Sequence, residues 1–351
     1  MNSWRDNVRK VEPYTPGEQP KEEGVIKLNT NENPYPPSDK IKKAMSGIKN
    51  LRKYPDPAAT KLVEAIASYH GFDKEEVFVG VGSDDVLAVA FMTFFNGKKP
   101  IFFPDITYSF YPVWAELFGI PYEKKAVNDA FEIQKEDYYA ENGGGGFPNP
   151  NAPTGAFLSL EVVEDIIQHN QDVVVIVDEA YIDFGGDTAK ELTRKYDNVL
   201  VVQTYSKSRS LAGLRIGYAI GNKELIKAMN DVKYSYNSYT MNEPSIVLGT
   251  AVLEDEEYFQ ETRNKIIDTR EWFQIEMRKI GFSFADSKAN FIFATHESVP
   301  AKEIFEAAKK AKIYVRYFDQ PRINNYLRIT IGTREEMETL LDFLKEFTAT
   351  K

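Results

Sequence analysis

Lys207 closes the polar run Thr204-Tyr205-Ser206-Lys207, which follows the apolar stretch Val199-Leu200-Val201-Val202, and Arg215 stands shortly behind it in Leu211-Ala212-Gly213-Leu214-Arg215. An amine attacks an aldehyde only when deprotonated, a form favoured by desolvation and by a neighbouring cation. A lysine at a strand's end with an arginine close behind is therefore a candidate carbonyl trap beside a bound phosphate. Taken alone, the segment better describes a surface lysine in a polar loop. Other segments shift the balance.

Asp178 follows the apolar run Val173–Val177, at the carboxyl end of a strand, where ligands bind in open α/β sheets. A carboxylate buried there needs a cationic partner, such as a protonated pyridine nitrogen, although a lone Asp after a strand is more often a cap. Gly82-Ser83-Asp84 stands between a strand and a helix, where backbone N–H groups and the helix N-terminus can hold a phosphate. By itself this is a weak motif, since Gly and Ser also serve as plain caps. Tyr108, beyond another short strand, suits stacking on a flat ring or a place in the core. Pro148-Asn149-Pro150-Asn151-Ala152-Pro153-Thr154-Gly155 is too rigid and polar for a sheet interior, and reads as a turn whose amides reach a ligand. The segments follow successive strands in order, and their joint occurrence carries more weight than any one of them.

The elements that must position these residues alternate. Val77–Val81, Ile101–Phe103, Val173–Val177, Val199–Gln203 and Arg215–Ala219 read as strands, and Asp85–Phe95 and Tyr111–Phe118 as helices. Before them, the proline-rich residues 1–37 read as an extended arm. After about Lys233 the texture changes to helices at Ser245–Leu253 and Tyr258–Ile280 and strands at Asn290–Phe293 and Tyr326–Thr330. A last helix is capped by Thr333-Arg334-Glu335-Glu336. The expectation is an α/β protein: arm 1–37, a large domain 38–240 with a mostly parallel sheet flanked by helices, and a smaller α+β domain 241–351. Gly143–Gly146 is open between a linker and an entry into the site.

Composition narrows the function. The 351 residues are 42% hydrophobic and 27% charged, an ordinary globular balance with length enough for two domains. A net charge of −10 argues against broad nucleic-acid or anionic-membrane binding, yet leaves room for a small basic pocket. Without cysteine there is no disulfide, thiolate nucleophile or Cys-liganded metal, and His70, His169 and His296 are scattered, so no metal site is expected. The start Met1–Asp6 is not followed by an apolar h-region, and no apolar run approaches a membrane span, which makes a cytoplasmic enzyme the default.

The ordered set Asn149-Pro150-Asn151-Ala152-Pro153-Thr154-Gly155, Val177-Asp178-Glu179-Ala180-Tyr181 and Ser206-Lys207 with Leu214-Arg215 resembles the fold-type I, aspartate-aminotransferase-like, pyridoxal-phosphate enzymes. Leu28-Asn29-Thr30-Asn31-Glu32-Asn33-Pro34-Tyr35, Tyr54-Pro55-Asp56, Ser206–Arg215 and Tyr326–Thr333 make it similar to the histidinol-phosphate aminotransferase family over nearly the whole chain. The resemblance implies that Lys207 carries pyridoxal 5'-phosphate as a Schiff base and acts as general base. Asp178 pairs with the ring nitrogen, Tyr181 bonds the ring hydroxyl and Tyr108 stacks on the ring. Gly82, Ser83, Asp84, Ser206 and Arg215 surround the phosphate, with Tyr54 reaching it from the other subunit of a homodimer with shared sites. Asn33, Arg316 and Arg328 take the substrate. Where the family often has Asn before Pro-Thr-Gly this chain has Ala152, so Asn151 is the expected substitute. The implied reaction converts histidinol phosphate and 2-oxoglutarate to imidazole acetol phosphate and glutamate. An aromatic aminotransferase, a threonine-phosphate decarboxylase and a non-catalytic regulator are the alternatives on this scaffold.

Overall fold

The computed structural model describes residues 3–49 and 51–351. In chain order it comprises β1 (Ile26–Lys27), α1 (Asp39–Ser46), α2 (Thr60–His70), β2 (Val77–Gly80), α3 (Ser83–Phe94), β3 (Ile101–Pro104), α4 (Phe110–Phe118) and β4 (Tyr122–Lys125). Then come β5 (Gly145–Pro148), α5 (Leu160–Gln168), β6 (Val175–Asp178), β7 (Val199–Thr204), β8 (Gly217–Gly221) and α6 (Lys223–Tyr236). The rest is α7 (Glu243–Leu253), α8 (Glu256–Lys279), β9 (Phe282–Ser283), β10 (Phe291–His296), α9 (Ala301–Lys310), β11 (Ile313–Tyr314), β12 (Arg316–Tyr317), β13 (Leu327–Thr330) and α10 (Arg334–Ala349).

The large sheet has the order β2-β8-β7-β6-β5-β3-β4, and β8 alone runs antiparallel to its neighbours. Both faces are covered, which explains the unbroken apolar runs of β6 and β7. On one face Ile176, Leu200 and Val202 pack with Val86, Phe91 and Trp114. On the other, Val175, Val177 and Val201 pack with Val163 and Ile167 of α5, and Tyr218 and Ile220 with Leu62 and Ile66 of α2 and Ile246 of α7.

The smaller antiparallel sheet has the order β12-β13-β10-β9 and is backed by α8, α9 and α10, whose Ile266, Ile304, Leu340 and Leu344 join Phe291 and Ile329 in one core. Thr333 and Glu336 form the capping box expected at the start of α10. The proline-rich N-terminal segment does not run free along its whole length: β1 pairs in parallel with β11, and Leu28 is buried in the small-sheet core. No helix among the described residues is long and apolar enough to cross a membrane.

Two segments depart from their sequence pattern. Arg215 was expected to begin a strand, but it closes the short turn Ala212–Leu214 in the left-handed region at φ 54°, and β8 starts at Gly217. Gly143–Gly146 is not a linker, because Gly145 and Gly146 open β5, an inner strand between β3 and β6. Glycine is required by space there. A Cβ on Gly145, where φ is +146°, would stand 2.0 Å from the Phe102 carbonyl oxygen.

Gly145→Ala is therefore expected to lower folding stability by about 3 kcal/mol or more, as overpacking of a rigid backbone contact does. Gly97→Ala, at a position where an added Cβ meets nothing within 4 Å, is the control and should stay within about 0.5 kcal/mol. Urea midpoints of the two variants check this; equal midpoints would refute the spatial argument.

Candidate active site

Strands β2, β3, β5, β6 and β7 are mutually parallel, so their carboxyl ends lie along one edge of the sheet. Residues just beyond those ends converge on a cavity of about 260 Å³. Ser83, Asp84, Tyr108, Asp178, Tyr181, Ser206, Lys207, Arg215, Arg316 and Arg328 all line it. Gly82, Asn33, Asn151 and Tyr54 do not.

Asp178 ends β6 and is 4% exposed. Its Oδ2 accepts from the Tyr111 hydroxyl at 3.1 Å and its Oδ1 from the Ala180 N–H at 3.3 Å. Burial pushes its pKa up to about 7, against the pull of those hydrogen bonds and of Lys207. Among the described residues no cation forms a salt bridge with it. Lys207, past the end of the adjacent β7, places Nζ 3.4 Å from the Thr30 carbonyl and 5.6 Å from the centre of the Tyr181 ring.

Arg215 shows why its left-handed turn matters. The turn brings the guanidinium back to Ser206 Oγ at 3.3 Å and to Asp84 Oδ2 at 3.2 Å. A Cβ on Gly82 would stand 2.3 Å from Arg215 Nη2, so Gly82 makes room for the arginine without lining the cavity. Ser83 and Asp84 form the first turn of α3, whose N–H groups lack helical partners and favour an anion. The charge of Asp84 is taken up by Arg215 and by the Tyr108 hydroxyl, which donates at 2.7 Å. Burial, reinforced by Asp84, holds the Tyr108 hydroxyl far above its ordinary pKa, so it stays a donor.

Arg316 and Arg328 face each other across the β12–β13 pair. Like charges directly opposite repel, and an anion between them would relieve this. Arg328 Nη2 donates to the Asn29 carbonyl at 2.8 Å, its Nε is buried without a partner, and burial pulls its pKa below the usual guanidinium value. Tyr14 lines the same cavity, stacked on Phe110 at 4.3 Å; burial raises its pKa while Arg316 and Arg328 pull it back.

Besides Gly82, three of the expected residues do not line this cavity. The Asn151 side chain donates to the Ile106 carbonyl and Thr154 Oγ1 and accepts from Thr107 Oγ1, so it braces the loop after β3 and does not turn to the cavity. Asn33 donates to the carbonyls of Lys207 and Ser208, both at 3.1 Å; it fixes the lysine's backbone and does not line the cavity. Tyr54 is 82% exposed and tilted against Tyr239 at 4.6 Å, outside the lining of its own chain's cavity, which leaves the expected reach to another subunit's site open. Sequence reasoning missed Asn31, whose Nδ2 donates to the Tyr181 hydroxyl at 3.0 Å while its Oδ1 accepts from Thr330. It also missed Tyr14 and Tyr111. The cluster of asparagines at positions 29, 31 and 33 was a signal, but which of them reaches the cavity depends on the left-handed turn at Asn31, φ 56°. Among the described residues no group of acids and histidines is arranged to hold a metal.

Comparison with known proteins agrees with this geometry. The model of the family "Aminotransferase class I and II" matches residues 23–344. The histidinol-phosphate aminotransferase of Clostridium beijerinckii is 51% identical over 344 residues, 97% of this chain and 96% of that protein. That of Lactococcus lactis subsp. cremoris is 50% identical over 351 residues, 99% of each. Among solved structures, the histidinol-phosphate aminotransferase of Clostridium acetobutylicum superposes with TM-score 0.85 at 22% identity, over 93% of this chain and all of that one. The Sinorhizobium meliloti enzyme, in complex with pyridoxal-5'-phosphate, gives TM-score 0.85 at 21% identity over 93% of this chain and 91% of that one. These two likenesses establish the fold, an aspartate-aminotransferase-like one, and the closer relatives establish the branch. The chain belongs to the class I and II aminotransferases, in the histidinol-phosphate aminotransferase family.

Proposed function

We propose that the cavity binds pyridoxal phosphate and transfers the amino group of histidinol phosphate to 2-oxoglutarate, in a cytoplasmic homodimer with shared sites. The observation that carries this is a buried carboxylate without a cation, Asp178, lining one cavity with the amine of Lys207 and the arginine pair Arg316 and Arg328. The residues fit the cofactor. Asp178 suits a protonated ring nitrogen, Lys207 an aldehyde, and Ser206, Arg215 and the first turn of α3 a phosphate.

When bound, pyridoxal phosphate supplies an electron sink for the charge left at the substrate's Cα. Lys207 Nζ would take the proton from that carbon and would deliver it to the cofactor's aldehyde-derived carbon, not back to Cα. Asp178 holds the ring-nitrogen proton, and its ionisation is favoured by the cation it thereby gains. The Tyr181 hydroxyl accepts from Asn31, which leaves its own proton free to donate. Arg316 and Arg328 suit the phosphate of one substrate and the carboxylate of the other, since a guanidinium fork matches either anion. Tyr14 and Phe318, beside them in the lining, exclude water.

The dimer reading is supported by exposed aromatic surface around Tyr54. Tyr239 packs on Tyr54, and the Tyr234 hydroxyl donates to the Pro57 carbonyl at the base of the same loop, with all three rings exposed. A second copy that covers this patch would take Tyr54 out of water.

Borohydride reduction of the pyridoxal-phosphate-loaded protein and peptide mapping should place a pyridoxyl adduct on Lys207. Asp178→Ala should keep the cofactor but lose about 10²–10³ in kcat; near-normal turnover would reduce Asp178 to a structural cap.

Arg328→Ala should raise KM for histidinol phosphate and for 2-oxoglutarate by about tenfold or more each. A substrate panel run alongside tests the donor. Carbon dioxide release from threonine phosphate without a keto acid would replace the proposed reaction with decarboxylation.

Tyr54→Ala and Lys207→Ala, each inactive alone, should regain activity when their subunits are exchanged. A mixed dimer then has one site with both lesions and one with neither. No recovery after verified exchange would refute the shared-site reading.

A further inference from the structure

Asp178 and Glu179 are consecutive, so their side chains leave opposite faces of the large sheet. Asp178 enters the cavity. Glu179, 1% exposed, turns to the other face, where Gln203 of β7 and Tyr218 of β8 are register partners. Its oxygens accept from the Ala189 N–H at 2.6 Å, Thr188 Oγ1 at 2.6 Å and Gln203 Nε2 at 2.7 Å. Gln203 Oε1 accepts from the Tyr218 hydroxyl, which lies 2.8 Å from His70 Nε2; His70 Nδ1 lies 3.4 Å from Lys190 Nζ.

The direction of this chain is set from its ends. An ammonium can only donate, so His70 Nδ1 accepts from Lys190 and the imidazole proton sits on Nε2. Burial, with Lys190 and Arg209 nearby, pulls the His70 pKa down to about 3, so the ring is neutral. Nε2–H then donates to Tyr218, Tyr218 to Gln203 Oε1, and the Gln203 amide to Glu179. Reversal would need a proton on Glu179 and an Nδ1–H aimed at the lysine, donor against donor. Burial raises the Glu179 pKa to about 7, while Thr188, Ala189 and Gln203, all donating to it, pull the other way.

We propose that Lys190, His70, Tyr218 and Gln203 form a one-way hydrogen-bond relay that keeps the Glu179 carboxylate ionised and so fixes Asp178 opposite its ligand. Glu179 is a positioning residue, and the proposal rests on Asp178 being the ring-nitrogen partner. The coupling to Asp178 is short and covalent. The Glu179 N–H donates to the Val202 carbonyl at 2.7 Å, the Asn149 N–H to the Asp178 carbonyl at 2.8 Å, and the Ile182 N–H to the Glu179 carbonyl at 3.2 Å. A tilt of the Glu179 side chain is therefore transmitted to both ends of the segment 178–182.

The test exchanges the two central residues. In Glu179→Gln the new amide must aim its N–H groups at those of Gln203 or, flipped, at the Ala189 N–H, donor against donor either way, and kcat of the pyridoxal-phosphate-loaded enzyme should fall about tenfold, with KM for both substrates within about twofold. Gln203→Glu sets two carboxylates side by side and should be at least as damaging. In the double variant the amide placed at position 179 donates to the carboxylate placed at position 203, which also accepts from the Tyr218 hydroxyl. The direction is thereby restored, and kcat should return to within about threefold of the unmodified enzyme. A residue needed only for packing gives no such rescue. Lys190→Met, at the surface end, should lower kcat about threefold in the same sense. Amide hydrogen exchange of the ligand-free protein gives a readout without the cofactor: the amides of residues 149, 179 and 182 should exchange faster in Glu179→Gln and recover in the double variant. Normal turnover and exchange in Glu179→Gln or in Lys190→Met, or a folded double variant no better than its worse parent, overturns the relay. If the unmodified protein takes up no pyridoxal phosphate, the cofactor assignment falls, while the exchange pattern still decides the relay.

Discussion

Asp178 is held where a carboxylate is costly: buried at the end of an inner parallel strand, bonded to one hydroxyl and one amide, with its pKa raised to about 7. A carboxyl whose folded pKa lies above its ordinary 3.8 binds its proton more tightly when folded, so its contribution to stability declines as pH rises from about 4 to about 7. A ligand that brings a cation to this position reverses the sign. Much of the surrounding structure follows from keeping that carboxylate in place and accessible. The doubly covered sheet makes the position rigid, Tyr111 and Ala180 orient the two oxygens, and Lys207 stands past the end of the neighbouring strand.

The opposite requirement, concentrated positive charge, is met from another part of the chain. Arg316 and Arg328 lie in register on two strands of the small sheet, and the repulsion between them is tolerated because the strands are anchored by a shared core. The N-terminal segment joins the two halves. Ile26 and Lys27 pair with the small-sheet side, Asn29 accepts from Arg328, and Thr30 and Asn31 reach Lys207 and Tyr181. The arginine pair and the Lys207 amine are thus tied together by a few consecutive residues.

Sequence alone located what local patterns can show. β6 and β7 announce themselves through apolar runs covered on both faces, α10 through its capping box, Lys207 and Asp178 through their places at strand ends, and Arg215 through its place close behind Lys207. β5 was hidden because Gly145-Gly146-Phe147-Pro148 has none of the branched residues of a strand, and its place depends on how closely β3 and β6 approach. Asn33 and Asn151 were legible as amides near a site, but not the carbonyls and hydroxyls that occupy them. Asn31 escaped notice because its partners Tyr181 and Thr330 are 150 and 299 residues away. Tyr54 was visible as a motif, and its solvent-facing position shows only once the chain is folded.

Those separations bear on how the protein is made. A ribosome completes β6, β7 and Lys207 well before it reaches Arg316, Arg328 and Thr330, so the emerging chain holds the lysine's amine long before the arginine pair exists. Residues 26–31 emerge long before their partners β11 and β13, and such long-range pairing is slow to close. Until then the apolar inner face around Leu28 lacks its partners in the small-sheet core. Final assembly of the site thus waits for β13 to emerge, and a chain cut short before β13 lacks both the arginine and the strand that hold residues 26–31 across the cavity.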